Sequence, residues 1–356
     1  MRVALTNPFA WPHVRRGSES LLHGLGRWLR SQGVDASVVA GGPVADRYRI
    51  DGLPYRTVRG RDLRRVHRDL DAEVTIVPGL ARALRQEAPA LAHCFLYADA
   101  TAARLAKVPY CVSYGGIAVP RSFDGRPFRR RLLDAGTRGA RAVVCPSRAA
   151  ADHLHEAFGY RATVIPNGLD VASVPQGVER VPGRILCAAT PDDARKRVEV
   201  LVDAFGVLRR HRTDVELVIA GGASRATRAA LLDRLDEADR ARVTFTGEVD
   251  HGDVLNLYGT AQVSCLPSRL EAFGMVLVES LAAGTPCVGA RDGAIPEIVD
   301  DEVGATFPVD DAAACARALD DVLSRGDLSA ACHERAGRYD WSVVGPRWIE
   351  LYGRLA

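Results

Sequence analysis

Lysine is nearly absent from this 356-residue chain: of its 47 basic residues, only Lys107 and Lys196 are lysines. This ratio indicates a genome rich in arginine codons, typical of a G+C-rich bacterium, and makes the position of each lysine informative. The chain also lacks any run of about eighteen apolar residues, so no membrane-spanning helix is predicted. The N-terminus lacks the apolar core of a signal peptide, which predicts a cytoplasmic protein.

The chain has little net charge and no clustered cysteines. Its 47 basic and 44 acidic residues leave +3, too small an excess to indicate a nucleic-acid partner. The eight cysteines are at least seventeen residues apart, without Cys-x-x-Cys or Cys/His ligand spacing. This spacing predicts buried, reduced thiols and no metal site.

Short apolar runs alternate with longer helical patterns, which indicates βαβ units and parallel sheets. The predicted strands of the first half are Val3–Leu5, Ala36–Ala40, Val74–Val77, Leu91–Cys94, Tyr110–Ser113, Ala142–Pro146 and Thr163–Pro166. Those of the second half are Arg184–Ala188, Val215–Ala220, Val243–Thr246, Ala261–Leu266 and Pro286–Ala290. A turn-forming cluster at Pro166–Asp170 separates two doubly wound halves, and the expected ligand site is a cleft between them.

Residues 267–286 form the most informative segment. An apolar strand stops there, the chain turns at Gly274, and a nearly all-apolar helix follows, whose first amides can bind an anion. Glu279 is an isolated carboxylate on that helix and needs hydrogen-bond partners, such as two ribose hydroxyls. The alternative is that Glu279 caps a loop and Glu271 is an exposed turn residue. A glycosidase pair is disfavoured because both glutamates lie at one strand–helix junction.

Glu271 and Glu279 with seven residues between them, the Phe273-Gly274 turn and Ala283–Pro286 resemble the donor-site motif of retaining glycosyltransferase family 4. Pro166–Asp170 and Gly293–Val299 resemble further segments of that family. The resemblance implies the GT-B fold, two Rossmann-like domains facing across a cleft, with a C-terminal helix crossing back to the first. It implies an acceptor-binding domain of residues 1–168 plus 340–356 and a donor-binding domain of residues 169–339.

The resemblance also implies roles for individual residues of the donor site. Glu279 would bind the ribose, Glu271 the hydroxyls of the donor sugar, and Lys196 the diphosphate. Lys196 follows the first strand of the second half, and the alternative for it is a solvated basic helix start. The remaining expected donor or nucleotide contacts are Phe273, Gly274, Met275, Gly17, Thr190, Gly222 and Val249.

Two departures from the family pattern stand out. Thr190 occupies the place of a family arginine, and Tyr114-Gly115-Gly116 replaces a segment that usually holds a histidine. Arg195, Arg197 or an arginine of the first domain is hypothesised to supply the missing charge, and Arg195 is grouped with the catalytic residues. The expected acceptor or sugar contacts are His93, Tyr114, Gly115 and Arg16, with a structural role for His93 as the alternative.

The predicted activity is retaining transfer of a sugar from a nucleotide-diphosphate sugar to a hydroxyl acceptor, without metal or cofactor. A natural product, a saccharide or a lipid-linked glycan would serve as acceptor. The basic residues between 126 and 141 are interpreted as a solvated helix face, with an anionic acceptor or a membrane surface as the alternative, so at most peripheral membrane contact is predicted. A pseudo-glycosyltransferase, a nucleotide-sugar epimerase and a non-catalytic nucleotide-sugar-binding partner remain alternatives.

Overall fold

A computed structural model describes residues 1–10, 13, 17–66, 71–117 and 119–356. The chain divides into two compact units: Met1–Leu169 with Trp341–Ala356, and Asp170–Asp340. Each unit is built around one sheet, with helices between most successive strands.

The first unit contains an eight-stranded sheet in the order β3-β4-β2-β1-β5-β6-β7-β8, parallel except for the β3–β4 pair. Its strands are β1 (Arg2–Asn7), β2 (Asp35–Gly42), β3 (Asp46–Ile50), β4 (Leu53–Arg59), β5 (Leu91–Cys94), β6 (Tyr110–Ser113), β7 (Ala142–Cys145) and β8 (Thr163–Val164). Its helices before the second unit are α1 (Gly17–Ser31), α2 (Ala72–Thr75), α3 (Val77–Glu87), α4 (Tyr97–Ala106), α5 (Pro127–Arg138) and α6 (Arg148–Phe158).

The sequence prediction is wrong for Val74–Val77, which is helical instead of extended. The side chain of Asp71 accepts a hydrogen bond from the amide of Val74 and starts α2, and Pro78 lies in the first turn of α3. Both are helix-start signals. The antiparallel β3–β4 hairpin is an addition that the sequence prediction lacked.

The second unit contains a six-stranded parallel sheet in the order β11-β10-β9-β12-β13-β14. Its strands are β9 (Arg184–Ala188), β10 (Glu216–Ala220), β11 (Val243–Gly247), β12 (Val263–Leu266), β13 (Cys287–Ala290) and β14 (Gly304–Phe307). Its helices are α7 (Val198–Arg209), α8 (Arg225–Leu232), α9 (Glu237–Arg240), α10 (His251–Thr260), α11 (Met275–Ala282), α12 (Ile295–Ile298), α13 (Ala312–Ser324) and α14 (Ser329–Gly337).

The last helix, α15 (Trp341–Leu355), belongs to the first unit. Trp341 and Trp348 are buried in the same core cluster as Val3 and Leu5 of β1, while Ala4 packs into a second cluster on the other face. Both faces of the sheet are therefore covered, as a doubly wound fold requires. Among the described helices, none has the length and apolarity that crossing a membrane would demand.

Candidate functional site

The strand order of the second unit reverses between β9 and β12. The chain runs outward from β9 to β10 on one side, and from β12 to β13 on the other. The loops that follow β9 and β12 therefore diverge and leave a crevice at the carboxyl edge of the sheet, where open α/β sheets bind ligands. Lys196 lies in the first of these loops and Glu271 in the second.

Lys196 and Glu271 form an ion pair across this crevice. The Nζ of Lys196 lies 2.8 Å from the Oε2 of Glu271, and their side chains are 24% and 17% exposed. Asp193 shapes the lysine loop by accepting a hydrogen bond from the Arg195 amide, and Asp192 accepts one from the Ser224 amide in the loop after β10. The hydrogen bonds of the loop thus position the Lys196 backbone, and the Glu271 carboxylate holds the ammonium where both side chains are partly shielded from water.

The backbone around Glu271 is clamped from two sides. The amide of Arg269 donates to the carbonyl of Arg195 at 2.7 Å, and the amide of Ala294 donates to the carbonyl of Glu271 at 2.9 Å. Gly293 has a φ of 54°, and a Cβ at this position would overlap the Glu271 carbonyl. Backbone hydrogen bonds therefore connect the loops after β9, β12 and β13. Only glycine fits at position 293, where the loop after β13 passes the Glu271 backbone.

Helix α11 begins beside Glu271. Gly274 precedes it with a φ of 94°, which places the chain in the left-handed region. The amides of Met275 and Val276 have no intrahelical acceptor, so the helix presents donors and a positive dipole end. Phe273 is buried and packs edge-on against Tyr339, with ring centroids 5.5 Å apart, which fixes the turn before the helix.

Glu279 lies in the second turn of α11 and is nearly buried. Its side chain is 10% exposed, and its Oε1 lies 2.9 Å from the Nε2 of His251. Sequence reasoning missed His251, because the two residues are 28 positions apart and no motif links them. Glu271, Glu279 and the start of α11 thus combine two carboxylates with one positive helix end.

The other predicted donor residues follow neighbouring strands of the same sheet. Thr190 comes after β9, Gly222 after β10 and Val249 after β11, so all three lie at the carboxyl edge. Thr190 is exposed, and Gly222 and Val249 are half-buried. A side chain at Gly222 would press against Glu248, which keeps this turn narrow.

The two arginines beside Lys196 already have carboxylate partners. Arg195 is mostly exposed and binds Asp193 of its own loop through two hydrogen bonds, of 3.1 and 2.6 Å. Arg197 binds Asp310 at 2.7 Å and Glu199 at 2.6 Å. Because Arg195 has a single local partner, it is the more available of the two for an incoming anion.

The first unit contributes the remaining predicted contacts. Gly17 is the first residue of α1, with open space where a Cβ would lie. Tyr114 and Gly115 follow β6; Tyr114 is half-buried, and burial raises the pKa of its phenol to about 12, while Gly115 is exposed. Arg16 lies outside the described residues.

His93 is in the core of the first unit, which corrects the expectation of a sugar or acceptor contact. Its side chain is fully buried, and its ring nitrogens bond the Tyr352 hydroxyl at 2.7 Å and the Ser113 hydroxyl at 2.6 Å. It stacks between Phe95 and Trp348. Burial lowers the pKa of His93 to about 3, so it is neutral. Both nitrogens are occupied, and none is free for a ligand.

The described part of the chain contains no group of three or more His, Cys, Asp or Glu side chains arranged to hold a metal ion. The eight cysteines are all buried and unpaired by disulfides.

Two family models match the chain. The model described as glycosyl transferases group 1 matches residues 181–338, and the glycosyltransferase family 4 model matches residues 15–173. Each match covers most of one sheet-forming unit.

Similar proteins include phosphatidyl-myo-inositol mannosyltransferases. The one from Mycobacterium leprae is 37% identical over 56% of each chain, and the one from Propionibacterium freudenreichii is 28% identical over 99% of this chain and 94% of that protein. A glycogen synthase from Mycobacterium tuberculosis is 30% identical over 59% of this chain and 53% of its own length. The chain thus spans about half the length of the mycobacterial relatives it matches.

Solved structures share the fold over the whole chain. Sucrose-phosphate synthase from Thermosynechococcus elongatus has a TM-score of 0.84 at 19% identity, covering 99% of this chain and 98% of its own. Anabaena HepE in complex with UDP and glucose has a TM-score of 0.78 at 17% identity, covering 99% of both chains. These likenesses, with one mostly parallel and one fully parallel sheet, confirm the predicted fold class.

Proposed function

The chain belongs to glycosyltransferase family 4, and on that premise we propose that it moves a sugar from a nucleotide-diphosphate sugar to a hydroxyl acceptor with retention of configuration. The observation that carries this proposal is the Lys196–Glu271 pair beside the first amides of α11, with Glu279 one turn deeper. A cation, a positive helix end and two partly buried carboxylates match the diphosphate, ribose and sugar of such a donor.

In this proposal each group of the donor has its own contact. The diphosphate lies against the amides of Met275 and Val276 and binds Lys196, and the ribose hydroxyls donate to Glu279. Glu271 turns from Lys196 to the hydroxyls of the sugar when the donor enters. The half-buried Val249 and the narrow turn at Gly222 border the nucleoside.

The proposed chemistry needs no nucleophile from the protein. The bond from the anomeric carbon to the diphosphate oxygen breaks, and the acceptor oxygen forms its bond to the same face of that carbon. The acceptor proton passes to the departing phosphate oxygen. Lys196 and the positive end of α11 stabilise the charge that develops on the diphosphate, so we propose that transfer proceeds without a metal cofactor.

The acceptor belongs to the first unit in this proposal, at the carboxyl edge where Gly17, Tyr114 and Gly115 follow their strands. The names of the relatives suggest two acceptor classes to test, a phosphatidylinositol and a growing saccharide. Natural-product alcohols form the third class.

A donor panel tests the proposal. The 356-residue chain is incubated with uridine, guanosine, adenosine and thymidine diphosphate sugars, with and without each acceptor class, in buffer with and without EDTA. The expected result is release of one nucleoside diphosphate, unaffected by EDTA, and a product whose anomeric configuration by NMR equals that of the donor.

Other outcomes decide between the alternatives. Inversion at the anomeric carbon would refute retention, and loss of activity in EDTA would refute metal independence. Conversion of the donor into another nucleotide sugar without transfer would indicate an epimerase. Tight donor binding without turnover would indicate a non-catalytic partner, and binding of none of the donors would overturn the donor site itself.

A further inference from the structure

Resting on the proposed function, we propose that His251 is a positioning residue for Glu279, and that the affinity for the nucleotide sugar falls as the imidazole loses its proton. His251 is the first residue of α10, and its side chain is 59% exposed. The contact at 2.9 Å between its Nε2 and the Oε1 of Glu279 joins α10 to α11. Among the described residues, His251 is the side-chain hydrogen-bond partner of the nearly buried Glu279 carboxylate.

The histidine and the ribose can bind Glu279 together. A carboxylate has about four acceptor positions, and His251 uses one of them on Oε1. The others remain for the two ribose hydroxyls. The imidazole therefore does not compete with the nucleoside but stops the carboxylate from rotating, so the ribose meets an acceptor already in place. A carboxylate without this partner would lose that orientation and part of its hydrogen bonding.

The charges around His251 favour its protonated form. The elements packed most extensively against α10 are α11, whose charged residue is Glu279, and β9, whose Arg184 is engaged by Glu216. On its own helix and the preceding loop the charged neighbours are acidic: Glu248, Asp250 and Asp253. The hydrogen bond to Glu279 raises the pKa of His251, while burial opposes this rise.

Donor binding strengthens this ion pair. A nucleoside at Glu279 removes water from the carboxylate, while the imidazole, whose side chain is 59% exposed, keeps its own contact with water. The attraction between the two charges therefore grows without the burial of the imidazole that would lower the pKa of His251. The diphosphate adds further negative charge nearby. The pKa of His251 is then higher in the complex than in the free protein, so binding takes up a proton. By linkage, the affinity declines with rising pH between those two pKa values and is constant outside them.

The experiment measures the dissociation constant of an intact nucleotide sugar by calorimetry over about pH 5 to 8. An intact donor is used because its diphosphate diester does not titrate in this range, unlike the terminal phosphate of a nucleoside diphosphate. For the wild type we expect roughly tenfold weaker binding at the upper end, with proton uptake visible as a dependence of the heat on the buffer.

Three substitutions test separately the titration of the imidazole, its hydrogen bond and the charge of Glu279. His251→Gln keeps a donor group near the position of Nε2 but cannot titrate, so its affinity should be independent of pH. His251→Phe keeps a ring without the hydrogen bond and should bind weakly at every pH. Glu279→Gln removes the nearest charge that acts on the imidazole, so it should bind weakly and with a much smaller dependence on pH than the wild type. His211→Gln, at an exposed histidine of the same unit, is the matched control and should keep the wild-type profile.

A further comparison tests whether His251 acts through the ribose. With a 2′-deoxyribose donor, one hydroxyl that Glu279 would orient is missing, so the penalty of His251→Phe should shrink. His251→Gln keeps a hydrogen-bond donor at a mostly exposed position and should unfold close to the wild-type temperature, so its loss of pH dependence reports on binding and not on folding.

The outcomes distinguish this inference from the proposed function. If Glu279→Gln weakens donor binding but both His251 variants keep the wild-type affinity and pH profile, the positioning role is refuted and the donor site stands. An unchanged penalty of His251→Phe on the deoxyribose donor would refute action through the ribose. If the wild type binds no nucleotide sugar at any pH, the proposed function itself has failed.

Discussion

Replacing Lys196 with methionine should slow sugar transfer far more than it weakens donor binding. Methionine keeps much of the length and apolar stem of the lysine and removes its charge. In the free protein the ammonium lies 2.8 Å from the Glu271 carboxylate, with both side chains largely shielded from water. In the proposed complex it lies against the diphosphate, whose charge grows as the sugar departs.

The size of the effect follows from this geometry. Opposite unit charges about 4 Å apart attract by about 4 kcal/mol at an effective dielectric constant of 20. Removing one preorganised donor from an oxyanion site costs about 2.7 to 4 kcal/mol, or 10²- to 10³-fold in turnover. We therefore expect Lys196→Met to lower kcat by at least about 100-fold. Because the charge on the leaving group is largest in the transition state, KM should change less.

The assay follows nucleoside diphosphate release under saturating donor and acceptor. Lys107→Met is the control, since Lys107 is the chain's other lysine and lies exposed at the end of α4. The double variant Lys196→Met/Glu271→Gln should bind the donor more tightly than Lys196→Met alone, since it removes a carboxylate that would repel the diphosphate. Turnover of Lys196→Met within about threefold of the wild type would refute the role of this charge.

Two further substitutions test the clamp at Glu271 and the buried histidine. Gly293→Ala should lower stability by about 1 to 2 kcal/mol and weaken donor binding, because alanine disfavours positive φ and its Cβ would overlap the Glu271 carbonyl. Gly337→Ala in α14, where a Cβ meets open space, is the control, and equal donor affinity in both variants would contradict the clamp. The folded pKa of His93, about 3, lies below its ordinary value of 6.5, so between these values the unfolded chain binds a proton that the native state does not. This histidine should thus remove roughly 1.4 kcal/mol of stability per pH unit as pH falls through that window. Denaturant unfolding of His93→Gln should show a shallower decline than the wild type, and parallel curves would refute the neutral buried state.

The strand–helix alternation was predictable because each parallel strand is a short apolar run. The hairpin of β3 and β4 was missed because β3 has only five residues, so the alternation of Arg47 and Arg49 with Tyr48 and Ile50 is short. The Asp51-Gly52 pair at its turn was the available signal, since this dipeptide favours tight hairpins.

The loops of the proposed donor site were easier to predict from the sequence than the other contacts. Lys196 and Glu271 each follow a strand, and the carboxyl ends of parallel strands share one edge, so their proximity could be expected. His93 also ends a strand, but sequence alone did not reveal that Tyr352, 259 residues further on, covers it. The contact of His251 with Glu279 depends on how two helices pack, and no spacing rule encodes it.

The return of α15 to the first unit has a consequence for biosynthesis. Residues 170–340 are continuous, so the second unit can complete its core as soon as they leave the ribosome. The first unit must wait, because Trp348 and Tyr352 are translated after that whole stretch and yet fill its interior. Domains commonly fold in order from the N-terminus; here the half that is synthesised first should be the last to become protease-resistant.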